Sequence, residues 1–208
     1  MTTLVTGAGG YVGRNLIDAL LERRQPVRAL VRNDDQAAPL RQRGVEVSVG
    51  DILDREFVRE AVRGANVVQH CAAAVGPHYS DREIHDICLE GSRNVLEGVR
   101  DQGSGRVVII SSINVLGNRN LSGESEDLPC RRFGEIRGDV KIDIEHLAKS
   151  FQRDAGVDVV ILRPAMIYGR GDQNLEKLLR PIRKGKFAFL GRRDNVIPLV
   201  YIDDVVQA

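Results

Sequence analysis

The chain has 208 residues, enough for one large domain or for one domain and part of a second. Its 42% hydrophobic and 28% charged residues, with a formal net charge of +1, are those of a globular protein and favour neither nucleic acid nor a membrane surface as partner. Cys71, Cys88 and Cys130 form no CxxC pair, and neither a signal peptide nor a bilayer-length apolar run is present, so the expectation is a cytoplasmic protein with free thiols.

Short apolar runs then alternate with amphipathic stretches. Residues 3–6 read as a strand and 10–23 as a helix, with Val12, Leu16, Ile17, Leu20 and Leu21 on one face. A second strand runs to Val31, a short helical piece covers 40–44, and a third strand covers 45–49. Residues 54–63 read as a helix ended by Gly64, 67–71 as a strand, 84–99 as a long helix and 107–111 as a strand. Residues 139–154 and 157–162 supply the last clear helix and strand. This rhythm, with strands apolar on both faces, predicts an α/β fold: a Rossmann-type, doubly wound parallel sheet with helices on both faces. Residues 117–138 lose all periodicity and read as a long functional loop. Residues 201–208 read as a strand end, an Asp cap and one helical turn; such a turn has little reason to form alone, so the natural protein is expected to continue.

Between the first strand and helix stands Thr6-Gly7-Ala8-Gly9-Gly10-Tyr11-Val12-Gly13. Gly7 permits a tight turn, Gly10 lets backbone approach a pyrophosphate, and Gly13 lets the helix pack close to the strand. The N–H groups that open the helix then face the phosphates. The second strand ends in Arg32, where a guanidinium can pair with a 2′-phosphate; this favours NADP(H) as cofactor. The competing reading leaves Arg32 in solvent and lets Asp34 or Asp35 reach the ribose.

The TGxxGxxG spacing resembles the short-chain dehydrogenase/reductase superfamily, and later segments resemble its extended, epimerase/dehydratase-like branch. Asp51 and Ile52 are similar to the segment that touches adenine. His70-Cys71-Ala72-Ala73 resembles the HxAA segment beside the cofactor. Ser112 stands at the catalytic serine position of an SSxxVYG-like segment, and Arg163 to Gly169 resembles RPxxxYG near the nicotinamide, with Pro164 and Ile167 against it. Val200 to Val205 resembles a VHVDDV segment. The resemblance implies cofactor contacts from Gly7, Gly10, Tyr11, Val12, Gly13, Arg32, Asp51, Ile52, Ala72, Ala73, Lys141, Pro164 and Ile167. It also implies a dinucleotide-binding domain over 1–165, an incomplete substrate portion starting at 166–208, and a homodimer through the helices at 84–99 and 139–154.

One departure stands out. The resemblance places Lys141 at the family's ribose-binding lysine and Glu145 at the glutamate that follows, but Arg137 stands where the catalytic tyrosine belongs. An arginine keeps its proton at any working pH, so it can polarise a carbonyl or hold an anion but cannot trade protons. Alternatively Arg137 faces solvent and only Lys141 faces the cofactor. Cys88, where the family has asparagine, reads as a buried apolar filler. Tyr79, in the loop after the fourth strand, is a candidate substitute acid; His85 and His146 read as surface residues. No metal-ligand spacing exists, and the Arg131-Arg132 and Arg192-Arg193 pairs lack the aromatic interleaving of a nucleic-acid site.

The expected function is an NADPH-dependent carbonyl reductase acting on a small-molecule ketone, with Ser112, Lys141 and Arg137 at an atypical site. Aromatic polyketide ketones would suit it, since their own hydroxyls can assist the carbonyl. A catalytically silent NADP-binding sensor or scaffold is the rival, and a sugar-nucleotide epimerase or dehydratase a third reading.

Overall fold

In the computed structural model, residues 1–117, 126–186 and 197–208 are described, apart from the side chains of Gln173, Asn174 and Leu178. The apolar runs become β1 (Thr3–Thr6), β2 (Val27–Val31), β3 (Glu46–Val49), β4 (Val67–His70), β5 (Arg106–Ile110) and β6 (Asp158–Leu162). They form one six-stranded sheet in the order β3-β2-β1-β4-β5-β6. Every neighbouring pair is parallel, as expected of strands joined by helical crossovers.

Successive side chains of a strand point to opposite faces, and the core divides accordingly. Leu4 and Leu30 join Val58 and Val62 of α3 (Arg55–Val62), Leu96 of α5 (Gly91–Gln102) and Ile144 of α6 (Ile136–Ala155). Val5, Ala29 and Val31 join Leu16, Ile17 and Leu20 of α1 (Tyr11–Glu22) and Leu40 of α2 (Asp34–Arg41) on the other face. This is the doubly wound arrangement anticipated from the sequence. On the α1 side, a groove of about 370 Å³ lies over Val108, Ile110, Val160 and Leu162, bordered by Val205 and Val206.

Several helix starts differ from the sequence reading. α2 begins at Asp34, not at residue 40, because the Asn33 side chain accepts from the Gln36 N–H and opens the helix through a wholly polar first turn. The helix expected from residue 84 begins as α4 (Asp81–His85), capped reciprocally by Ser80 and Glu83, and reaches α5 through a π-helical stretch, Asp86–Glu90. α6 begins at Ile136 rather than 139: the Glu135 carboxylate accepts from the Gly138 N–H at 2.8 Å. Gly138 is inside the helix for space, since a Cβ there would lie 2.8 Å from the Phe133 ring.

Beyond β6, β7 (Met166–Tyr168) and β8 (Leu199–Tyr201) make a separate two-stranded parallel sheet, with α7 (Gln173–Arg183) between them in sequence. The final turn does form a helix, α8 (Ile202–Gln207), but Tyr201 occupies the cap position and contributes no side-chain hydrogen bond. The expected Asp cap is corrected: Asp203 and Asp204 lie inside the first turn. Tertiary packing supports this short helix, for Ile202 and Val205 are buried and α8 contacts α1. No described helix is long and apolar enough to cross a membrane. Residues 118–125 of the expected loop 117–138 and the Arg192-Arg193 pair lie outside the described residues.

Candidate functional site

The sheet order reverses between β1 and β4, and their carboxyl ends lie side by side with Thr6 opposite His70. Open α/β sheets form their ligand crevice at such a point. Gly7 leaves β1 with φ +64°, and a Cβ there would lie 2.7 Å from the Ala72 backbone. At Gly13 a Cβ would lie 2.4 Å from the Gly7 carbonyl oxygen, so only glycine lets α1 close on the loop. At Gly10 it would meet only the Gly7 carbonyl oxygen, at 3.1 Å, leaving the space beside it open. Gly10 caps α1 without a side-chain hydrogen bond, and no acid lies in the first turn. The backbone groups of Tyr11 and Val12 thus open an electropositive helix end without a side-chain cap. A narrow turn, open room and such a helix end fit the pyrophosphate of a dinucleotide. The Tyr11 hydroxyl is buried and has no hydrogen-bond partner among the described residues; burial, then Asp172, Tyr201 and Asp203, raise its pKa.

Arg32, just past β2, is exposed and held at both ends. Its N–H donates to Gln36 Oε1 at 3.1 Å and its Nη1 donates to the Tyr79 hydroxyl at 2.6 Å. Asp34 is paired with Arg41 at 2.9 Å within α2. Asp51 accepts from the Leu53 N–H at 2.9 Å. The Ile52 side chain is buried under α5 and its carbonyl accepts from Asn94 Nδ2 at 2.9 Å.

At the end of β4 runs a buried polar chain. The Ala72 N–H lies 3.4 Å from Thr6 Oγ1, Thr6 Oγ1 lies 2.8 Å from His70 Nδ1, and His70 Nε2 lies 2.9 Å from Ser92 Oγ. The Ser92 hydroxyl donates to the Cys88 carbonyl at 2.6 Å. Ser92 must therefore accept from His70 Nε2–H, and His70 Nδ1 accepts from the Thr6 hydroxyl. A second ring proton would remove that acceptor. Burial, with a smaller contribution from Lys141, pushes the His70 pKa down to about 3. Cys88 is buried as expected and also accepts from the Ala74 N–H at 3.4 Å. Burial pushes the neighbouring Cys71 thiol up to about 12.

The third part of the site lies past β5. Ser112 caps the 3₁₀ turn Ile113–Leu116, its Oγ accepting from the Asn114 N–H at 3.2 Å. Lys141 of α6 donates to the Ile110 carbonyl at 2.6 Å, beside the same strand end. Burial lowers the Lys141 pKa, while Cys88, Cys71 and Glu145 act in the opposite direction. The Pro164 carbonyl accepts from the Ile113 N–H at 3.1 Å, which draws the end of β6 to Ser112. Ile167 lies apart from these residues in chain architecture, on β7 opposite Val200.

Arg137 is exposed but not free in solvent. It pairs with Glu135 at 3.3 Å, and its Nη2 donates to the Gly76 carbonyl at 3.0 Å, across to the loop after β4. The tyrosines are also accounted for: Tyr168 stacks edge-on with Tyr201 at 5.3 Å, and Tyr79 holds Arg32. Tyr79, the substitute acid considered from the sequence, thus accepts from Arg32 and keeps its own O–H.

Sequence reasoning missed a network beneath Ser112. Ser111 donates to Glu145 at 2.6 Å, and Arg163 donates to both Glu145 oxygens at 2.9 and 2.6 Å. Glu145 is fully buried; burial would raise its pKa, but the bonds from Arg163 and Ser111 outweigh that and hold it below the usual range. The available signal was a glutamate one turn beyond Lys141 with an arginine ending β6. A separate cleft of about 660 Å³, lined by residues including Arg14, Asp18, Arg170 and Glu176, contains none of the sequence-identified site residues. Among the described residues no cluster of His, Cys, Asp and Glu could hold a metal ion.

Comparison with known proteins agrees with the fold. The family model described as "NAD dependent epimerase/dehydratase family" matches residues 3–208. A 4-hydroxy-2-methyl-3-oxo-4-farnesyl-3,4-dihydroquinoline-1-oxide ketoreductase of Stigmatella aurantiaca is 34% identical over 91% of this chain and 58% of its own. A 2-alkyl-3-oxoalkanoate reductase of Stenotrophomonas maltophilia is 31% identical over 100% of this chain and 64% of its own. The chain thus spans somewhat over half the length of these curated relatives. Among solved structures, a UDP-glucose 4-epimerase of Thermus thermophilus in complex with NAD superposes with a TM-score of 0.83 at 26% identity, covering 100% of this chain and 72% of that one.

Proposed function

The chain belongs to the NAD dependent epimerase/dehydratase family, and from that premise we propose that it is the cofactor-binding part of an NADPH-dependent carbonyl reductase with an altered proton-donor site. One observation carries the reading: the glycine cradle, Arg32, Ser112 and Lys141 all lie at the carboxyl edge of one sheet, while α6 carries Arg137 where the family resemblance implies a tyrosine. When bound, a reduced nicotinamide supplies a hydride to an electrophilic carbonyl carbon. Gly7, Gly10 and Gly13 shape the turn that receives the pyrophosphate, and Asp51, Ala72 and Ala73 border the same strand ends. Arg32 meets a 2′-phosphate. Lys141, held by the Ile110 carbonyl at the strand end, would hold a ribose hydroxyl of the cofactor. Ser112 accepts from Asn114 and keeps its own O–H to donate to a carbonyl oxygen. Arg137 adds positive charge near the site but no transferable proton.

The reductase reading draws support from the two relatives named for ketone reduction. With no tyrosine on α6, the favoured substrates are ketones whose own phenol or hydroxyl bonds the carbonyl, as in aromatic polyketides. The test is NADPH oxidation with a panel of ketones that do and do not carry such a neighbouring hydroxyl. Turnover confined to the hydroxylated ketones is expected; equal turnover across the panel would refute substrate assistance. The engagement of Arg137 with Glu135 and Gly76 favours a second reading, a catalytically silent NADP-binding protein, which tight NADPH binding without any turnover would establish. An epimerase or dehydratase is less well supported, because those reactions draw on the base that α6 lacks.

A further inference from the structure

We propose that Tyr79 is a specificity-determining residue for the dinucleotide, orienting Arg32 to receive a 2′-phosphate; this rests on the NADP(H) reading above. Arg32 follows β2 and Tyr79 lies in the loop after β4, with β1 between those strands. The bond between them therefore crosses the sheet edge from which the glycine loop emerges. Both members are braced. The Tyr79 ring packs against the core on the α5 side and stacks with His78 at 4.2 Å between centroids. Arg32 is fixed at its backbone by Gln36, whose side chain in turn lies against Gly9: a Cβ at Gly9 would come within 2.8 Å of it. On the far side, Arg137 holds the same loop through the Gly76 carbonyl.

A free arginine side chain must give up rotamers to grip a phosphate, and pre-ordering removes that cost. The Tyr79 hydroxyl supplies the ordering by accepting from Arg32 Nη1. Its own proton then remains to donate, so a phosphate oxygen arriving beside Arg32 meets the other guanidinium N–H groups and the phenol together. A ribose 2′-hydroxyl carries no charge to reward this arrangement. Tyr79 should therefore discriminate between the two dinucleotides and leave the pyrophosphate grip unchanged.

The experiment is titration of NADPH and NADH against the unmodified protein, Tyr79→Phe, Arg32→Ala and the double variant. Phenylalanine keeps the packed ring and removes only the hydroxyl. Tyr79→Phe is expected to weaken NADPH about tenfold while NADH affinity stays unchanged, the size expected for a hydrogen bond to a charged group. In the Arg32→Ala background, where no guanidinium is left to orient, the same change should weaken NADPH clearly less than tenfold. Equal weakening of both dinucleotides would mean a merely structural role and overturn the proposal, as would full additivity of the two substitutions. Equal NADPH and NADH affinities in the unmodified protein would instead overturn the NADP(H) reading itself.

Discussion

His70 shows how one buried side chain ties the strand end to the helix behind it. Thr6 and Ser92 fix it as a neutral ring protonated at Nε2, with its pKa pushed down to about 3 from the ordinary 6.5. The unfolded chain takes up a proton near 6.5 and the folded chain only near 3, so stability falls as pH drops through that interval. Between 6.5 and 4.5, above the ordinary glutamate value, this loss is separable from carboxylate protonation. Denaturant unfolding at stepped pH should show the loss in the unmodified protein and a flatter profile in His70→Gln. An unchanged slope in that variant would place the proton uptake elsewhere. Lys141 and Arg137 make a second residue-scale contrast. Lys141→Ala should weaken NADPH binding or turnover with every ketone, since its amine sits at the strand end beside Ser112. Arg137→Ala should leave NADPH affinity nearly unchanged and alter rates unevenly among ketones. Loss of NADPH binding in Arg137→Ala, with normal binding in Lys141→Ala, would reverse the two roles.

At the scale of elements, the entry to α1 separates folding from binding. Gly13 is needed for the helix to approach the loop, whereas a Cβ at Gly10 would meet only the Gly7 carbonyl oxygen, at 3.1 Å. Gly10→Val should therefore leave a folded protein whose melting temperature no longer rises with NADPH. In the unmodified protein, NADPH at a hundred times its Kd should contribute roughly 2.7 kcal/mol of stability. A Gly10→Val protein with the full thermal shift would reduce the glycine loop to a plain turn. The elements also show where sequence legibility stops. β1 was read correctly to the residue and the other main-sheet strands nearly so, because apolar runs bounded by turn residues carry that signal directly. The starts of α2, α4 and α6 were not, since they are set by side-chain caps from Asn33, Ser80 and Glu135, which lie outside the apolar periodicity.

For the whole molecule, the sheet order places the ends of β1, β4 and β5 next to one another, and the candidate site is assembled on those ends. The TGxxGxxG loop, the Arg32 position, the Ser112 and Lys141 segments and the parallel sheet were all legible in the sequence, because each depends on residue type at short spacing. The pairing of Arg32 with Tyr79, the reach of Arg137 to Gly76, the ordered Thr6–His70–Ser92 chain and the Ser111–Glu145–Arg163 network were not. Each joins residues far apart in the chain whose meeting depends on which strands lie side by side. Sequence spacing thus determined the local turns and helix faces. Only tertiary structure decided which polar groups share a buried site, because a polar side chain carries no periodic signal of its partner until burial makes that partner necessary.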